Sequence, residues 1–226
     1  MKQLIIMAAM LSGTAFHSNS SAPAAITVPD HITFDYQITQ VTHTPSNGNT
    51  EIIYYFTKSG DYAAAKINTD DDLDLVIYDK NGNTMAVEGK KKQITIYNIP
   101  GLMHMGGNPG IMMATRSNIK ITHSNQTKNI CGYNAEAYTG IEPQSGASIN
   151  FWCIKLPFDA SNIYPLAKKI PNPSNESSMA NFLQKDHNNF LAEISTIKGK
   201  IVETTAIGKS SLTFNSAGYT IKTLGK

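Results

Sequence analysis

The stretch Ile32–Val41, ITFDYQITQV, alternates apolar and polar residues and places Ile32, Phe34, Tyr36 and Ile38 on one side. A period of two is the signature of a half-buried strand, and the same punctuation continues along the first half of the chain. Pro45-Ser46-Asn47-Gly48 marks a turn before EIIYYFTK, and Ser59-Gly60 separates that run from DYAAAKIN. DLDLVIYD and NTMAVEG flank Lys80-Asn81-Gly82, and KKQITIYNI alternates again. The first half therefore predicts a meander of about six antiparallel strands.

Strands are expected to resume with SNIKITHS, KNICGYNAEAY and SINFWCIKL, and to close with GKIVETTAIG and SLTFNSAGYTIKTL. Between them SMANFLQKDHNNFL sets Met179, Phe182, Leu183, Phe190 and Leu191 on one helical face, with Ser177 or Ser178 as N-cap. The expected class is α+β and mainly β: an antiparallel sheet with a C-terminal helix packed against it, in a single domain over 26–226.

The N-terminus addresses the chain. Met1-Lys2 precedes LIIMAAML and then small and polar residues, the pattern of a secretory signal peptide within 1–22, cleaved after Ala15 or Ala22. Its apolar run is well short of the roughly 18–20 residues of a spanning helix, and no other segment could span a membrane. An exported protein, periplasmic or extracellular in a bacterium, is the expectation. The two cysteines, Cys131 and Cys153, are then expected to pair, closing a loop of about 20 residues worth about 3 kcal/mol. Opposite positions at Cys131 and Cys153 would centre the hairpin near Glu142.

Charged residues make up 16% and the net charge is +2, so no strong field gathers polyanions and no nucleic-acid partner is expected. The basic run Lys90-Lys91-Lys92 reads as protection of an exposed strand edge. Asp79-Lys80-Asn81-Gly82 has its glycine too early for a calcium loop, and Asn81-Gly82 suits a hairpin turn. There is no GxSxG and no HExxH; His31, His43, His123 and His187 are scattered among polar neighbours. A non-enzymatic protein without cofactor is expected.

KNICGYNAEAY followed by INFWCIKLPFD resembles the DUF4412-type family of exported bacterial proteins of unknown function, through Gly132, Tyr133, Tyr138, Trp152 and Pro157. YYFTKSGDY, LVIYDKNGNTMAV, GKIVETTAIG and AGYTI follow in the family's order. One departure is that the cysteine after Gly-Tyr falls at Ala135, while this chain has Cys131. The family in turn resembles the periplasmic lipoprotein carriers (LolA/LolB-like), which implies a curved half-barrel with an apolar concave face for a lipid or hydrophobic peptide.

GLMHMGGNPGIMM, residues 101–113, gathers four of the nine methionines. Three readings stand: core filling beneath a loop, an adaptable apolar rim formed by Met103, Met105, Met112 and Met113, or soft ligation of Cu(I) by Met103, His104 and Met105. Trp152 reads first as core and second as a ligand contact beside those methionines. The leading expectation is a binding protein for an apolar ligand; copper handling and an envelope interaction module without a small ligand are the alternatives.

Overall fold

The computed structural model describes residues 26–44, 48–67, 73–97, 119–141, 146–164, 182–183, 185–197 and 199–224. In chain order the strands are β1 (His31–Thr33), β2 (Tyr36–Thr44), β3 (Gly48–Phe56), β4 (Tyr62–Ile67), β5 (Leu75–Asp79), β6 (Thr84–Glu88) and β7 (Gln93–Tyr97). β8 (Lys120–Ile130), β9 (Tyr133–Ile141), β10 (Ser148–Lys155), β11 (Asn189–Thr196), β12 (Gly199–Lys209), β13 (Thr213–Asn215) and β14 (Thr220–Leu224) follow. One open sheet of twelve strands runs in the order β14-β7-β6-β5-β4-β3-β2-β12-β11-β10-β9-β8, and β1 pairs with β13 separately. All its pairings are antiparallel except β14 on β7.

The expected six-strand meander is β2 to β7, each strand beside the next. Its central members, β3 to β5, are covered on both faces, which is why their sequences read as near-continuous apolar runs. Tyr54, Phe56, Ala63, Ala65, Val76 and Tyr78 enter one core, whereas Tyr55, Ala64, Leu75 and Ile77 enter a second on the opposite face.

The opening stretch is not one strand. It breaks at Asp35, so Ile32 and Phe34 pack into the second core through the β1/β13 pair, while Ile38 packs into the first. Asp35 anchors the crossing, since its carboxylate accepts a hydrogen bond from Lys58 N at 2.6 Å and its carbonyl one from Ser210 N at 2.9 Å. Alternation is preserved in the sequence because both segments are extended.

The expected C-terminal helix is replaced by a strand. Phe190 and Leu191 lie in β11, paired with Ile154 and Cys153 of β10, and every residue from Phe190 to Ile194 is buried. All but Glu193 of these are apolar, and a strand covered on both sides carries such a run, which also fits a short helix. Among the described residues only Phe182, Leu183 and Lys185 have helical backbone, besides a 3-10 turn at Ser161–Ile163; Met179 and the proposed cap, Ser177 or Ser178, lie outside them. The fold is thus a nearly all-β open sheet, and the expected α+β half-barrel with a packed helix is corrected accordingly.

The sheet nonetheless folds over itself. Tyr54 of β3 and Phe190 of β11 are three strand steps apart, about 14 Å in a flat sheet, yet their ring centroids are 6.2 Å apart. Phe56 and Phe190 meet edge-on at 6.4 Å. The bend is built where β11 and β12 part below the Glu193–Glu203 pair. There side chains replace the missing ladder bonds: Gln40 Nε2 donates to Leu191 O at 2.8 Å, Thr204 Oγ1 to Ala192 O at 2.8 Å, and Leu191 N to the Tyr164 hydroxyl at 3.2 Å.

Two other expectations are resolved locally. Lys90 to Lys92 form the β6–β7 turn, with Lys92 over the Tyr219 ring at 4.8 Å; β14 covers β7, so no edge is left there to guard. Asp79 organises the β5–β6 turn, accepting from Asn81 N at 2.9 Å, Asn83 N at 2.8 Å and Asn83 Nδ2 at 2.6 Å, while Gly82 takes φ +79°. Asp79→Ala removes a nearly buried acceptor from three donors and is expected to cost about 1–3 kcal/mol, read as a lower urea midpoint.

Candidate functional site

The methionine and copper candidates, Met103, His104, Met105, Met112 and Met113, lie outside the described residues. The described part of the concave face is filled: Phe158, Ile163, Tyr164 and Leu183 are buried against Tyr54, Phe56 and Phe190, with Tyr36 stacked on Phe158 at 4.2 Å. Among the described residues no group of three or more His, Cys, Asp or Glu is disposed to hold a metal.

Cys131 and Cys153 are free thiols, Cys131 exposed and Cys153 buried. The register is the reason the expected bridge is missing. β9 and β10 pair Glu136 with Cys153 and Ile141 with Ser148, which moves the hairpin centre beyond Glu142 and leaves Cys131 in the β8–β9 turn at φ +50°. There its Sγ lies 3.6 Å from Thr204 O. Burial pushes both thiols up, Cys153 strongly with Glu136 adding to the effect, so neither is an activated nucleophile.

Trp152 is the one expected site residue that the structure places at an open site. β8 and β9 pair regularly up to His123–Tyr138 and again from Thr127–Glu136, with three β8 residues bulged between them opposite Ala137. Asn125 at the bulge has φ +55°, and Ser124 Oγ turns in to Ala137 O at 2.9 Å. Bulges re-aim side chains and open edges. Here the result is a hollow of about 340 Å³ lined by Ser124, Gln126, Ala137, Tyr138, Thr139, Asn150, Phe151, Trp152 and Ser195.

Period-two geometry assigns the hollow to the outer face. Ala137 opposes Trp152 and Thr139 opposes Asn150, so these four side chains share a side, and Ser195 opposes Asn150 on β11. The other side holds the aromatic cluster in which Tyr138 stacks on Phe151 at 5.5 Å and meets Phe182 at 4.8 Å. Tyr138 also donates to Glu136 at 2.8 Å, and burial together with that carboxylate raises its phenol. Thr139 Oγ1 donates to Asn150 Oδ1 at 3.1 Å, which fixes the amide with its NH2 free to act as donor.

A ladder of charge borders Trp152. Lys128 Nζ lies 4.3 Å from the Trp152 ring centroid and 2.8 Å from Glu193, and Lys200 reaches Glu193 at 3.5 Å and Glu203 at 2.8 Å. His43 touches Glu203 at 3.1 Å. The hydrogen bond from Lys200 is the first cause that holds the Glu203 carboxyl below its usual 4.5. A depressed folded-state pKa contributes stability that is present above 4.5 and lost as pH falls through the folded value. Lys200→Met is therefore expected to flatten the acid limb: comparing urea midpoints at neutral pH and below pH 4.5, the wild type should lose more stability than the variant.

A second, wider depression of about 550 Å³ is lined by His31, Thr33, Asp35, Lys58, Asp61, Tyr62 and their neighbours. Its acids are already engaged, Asp35 by Lys58 N and Asp61 by Lys80 at 2.8 Å.

Sequence reading named Trp152 and missed Asn150, although alternation in SINFW puts the two on one face; the bulge and the contributions of Ser124, Gln126, Thr139 and Ser195 carry no sequence signature. No helix among the described residues is long and apolar enough to cross a membrane. No family profile matches the chain, and no curated protein does. Among solved structures it is similar to PNGF-II, at 13% identity and a TM-score of 0.47, with 84% of this chain covered but only 31% of that one. It is also similar to an uncharacterized conserved protein from Thermus thermophilus, at 8% identity and a TM-score of 0.41, over 84% of this chain and 90% of that one.

Proposed function

We propose that the chain is an exported, non-enzymatic binding protein that takes a small ligand in the hollow beneath the β8 bulge, against Trp152. The observation that carries this reading is the hollow itself: at about 340 Å³ it falls in the range of roughly 300–1,000 Å³ common for small-molecule sites. Export rests on the Leu4–Leu11 run behind Lys2. The carrier resemblance placed an apolar ligand on the concave face, but Phe158, Ile163, Tyr164 and Leu183 fill the described part of that face. The outer hollow is therefore the better supported site.

Native mass spectrometry of the protein purified from its own exported compartment tests this. The expected result is a co-purifying small-molecule mass that is lost in Trp152→Ala. Retention of that mass by Trp152→Ala, or a bare wild-type protein, contradicts the assignment.

A further inference from the structure

We propose that the ligand of this hollow is a neutral saccharide, an inference that rests on the hollow being the ligand site. Its polar side chains are hydroxyls and primary amides: Ser124, Gln126, Thr139, Asn150 and Ser195. Each such group can both donate and accept, as each sugar hydroxyl does, so a ring of vicinal hydroxyls can be met from several sides without a net charge. Among the described residues the side chains of Gln126 and Ser195 make no hydrogen bond to protein, and Asn150 spends only its Oδ1, on Thr139. Donors and acceptors are thus left over at the hollow.

The charges nearby are already matched. Lys128, over Trp152, is bonded to Glu193 at 2.8 Å, so an anionic ligand would compete with an existing ion pair and a cationic one would find Glu193 shared by two lysines. An acyl chain fits poorly for a different reason, because Asn150 is exposed on the hollow's side of β10 and a chain laid there would keep much of its length in water. A pyranose has apolar C–H groups and a hydroxyl rim, which suits a hollow lined by indole and amides, although Lys128 takes one face of the indole. The modest volume suits one or two sugar units.

Trp152 is the only tryptophan in the chain, so emission excited on the red edge of the indole band, where the tyrosines do not absorb, reports the surroundings of this one residue. The purified protein is titrated with cellohexaose, maltohexaose, laminarihexaose and hexa-N-acetylchitohexaose, and separately with sodium dodecanoate. The expected result is a saturable change in emission with at least one oligosaccharide and none with dodecanoate. Asn150→Ala, an exposed change that spares the fold and the fluorophore, should weaken that binding about tenfold, the equivalent of one lost hydrogen bond. Saturation by dodecanoate with no response to any oligosaccharide overturns the saccharide and leaves the hollow as the site. No response to any of the five probes overturns the saccharide and the hollow together, and undiminished binding by Asn150→Ala overturns the saccharide's placement against the amide.

Discussion

Phe190→Ala is expected to destabilise the protein by about 3–5 kcal/mol, the range for emptying a fully buried phenylalanine site. Phe190 is completely buried, and its ring meets Tyr54 and Phe56 edge-on from across the fold of the sheet. The cavity would lie between two parts of one sheet that the ladder between β2 and β12 holds in place, so little collapse of the backbone can refill it. Chemical denaturation provides the measurement, with Ile197→Ala as control. Ile197 is 95% exposed in the β11–β12 turn, and its truncation should stay within about 0.5 kcal/mol. Similar midpoints for the two variants would mean that the two halves of the sheet do not pack through Phe190.

Gln40→Leu should cost about 1–3 kcal/mol although the side chain keeps its approximate size. Gln40 is 4% exposed, and its amide supplies the hydrogen bond that Leu191 O lacks once β11 and β12 separate. Leucine would leave that carbonyl buried without its donor. Thr204→Val removes the neighbouring bond to Ala192 O, and Gln40 Nε2 also lies 3.2 Å from Thr204 Oγ1. The two substitutions share a network, so their effects should not add, and a double-mutant cycle measures the coupling. Simple additivity would mean that the side chains do not jointly bridge the parted strands.

Strand identity was legible where apolar and polar residues alternate or where turns are marked by Gly. KKQITIYNI and the Asn81-Gly82 turn, with Gly82 at φ +79°, needed nothing beyond local rules. The failures share a physical origin in tertiary burial. FLAEI is apolar but for Glu193 because β11 is covered on both sides, and local periodicity does not separate such a strand from a short helix. ITFDYQITQV hides its break because β1 and β2, on either side of Asp35, are both extended although they serve two different cores. The Cys131–Cys153 pairing failed on register, which a hairpin centre shifted past Glu142 sets and no local residue announces.

The candidate site divides in the same manner. Trp152 and Asn150 follow from alternation along β10, whereas the hollow beside them exists because three β8 residues bulge between His123 and Thr127. Polar residues such as Ser124 and Gln126 on an edge strand are ordinary in a sequence. They line a hollow where the bulge brings Ser124 Oγ to Ala137 O.

The most direct test of the binding assignment is a chemical-shift map of the isotope-labelled protein, recorded while the oligosaccharide with the largest effect on Trp152 emission is added. Binding at the hollow predicts shifts at the Trp152 indole N–H and at backbone amides around Ser124, Gln126, Thr139, Asn150 and Ser195. Shifts concentrated instead at residues 101–113, or at Tyr164, Leu183 and Phe190 on the concave side, would contradict it.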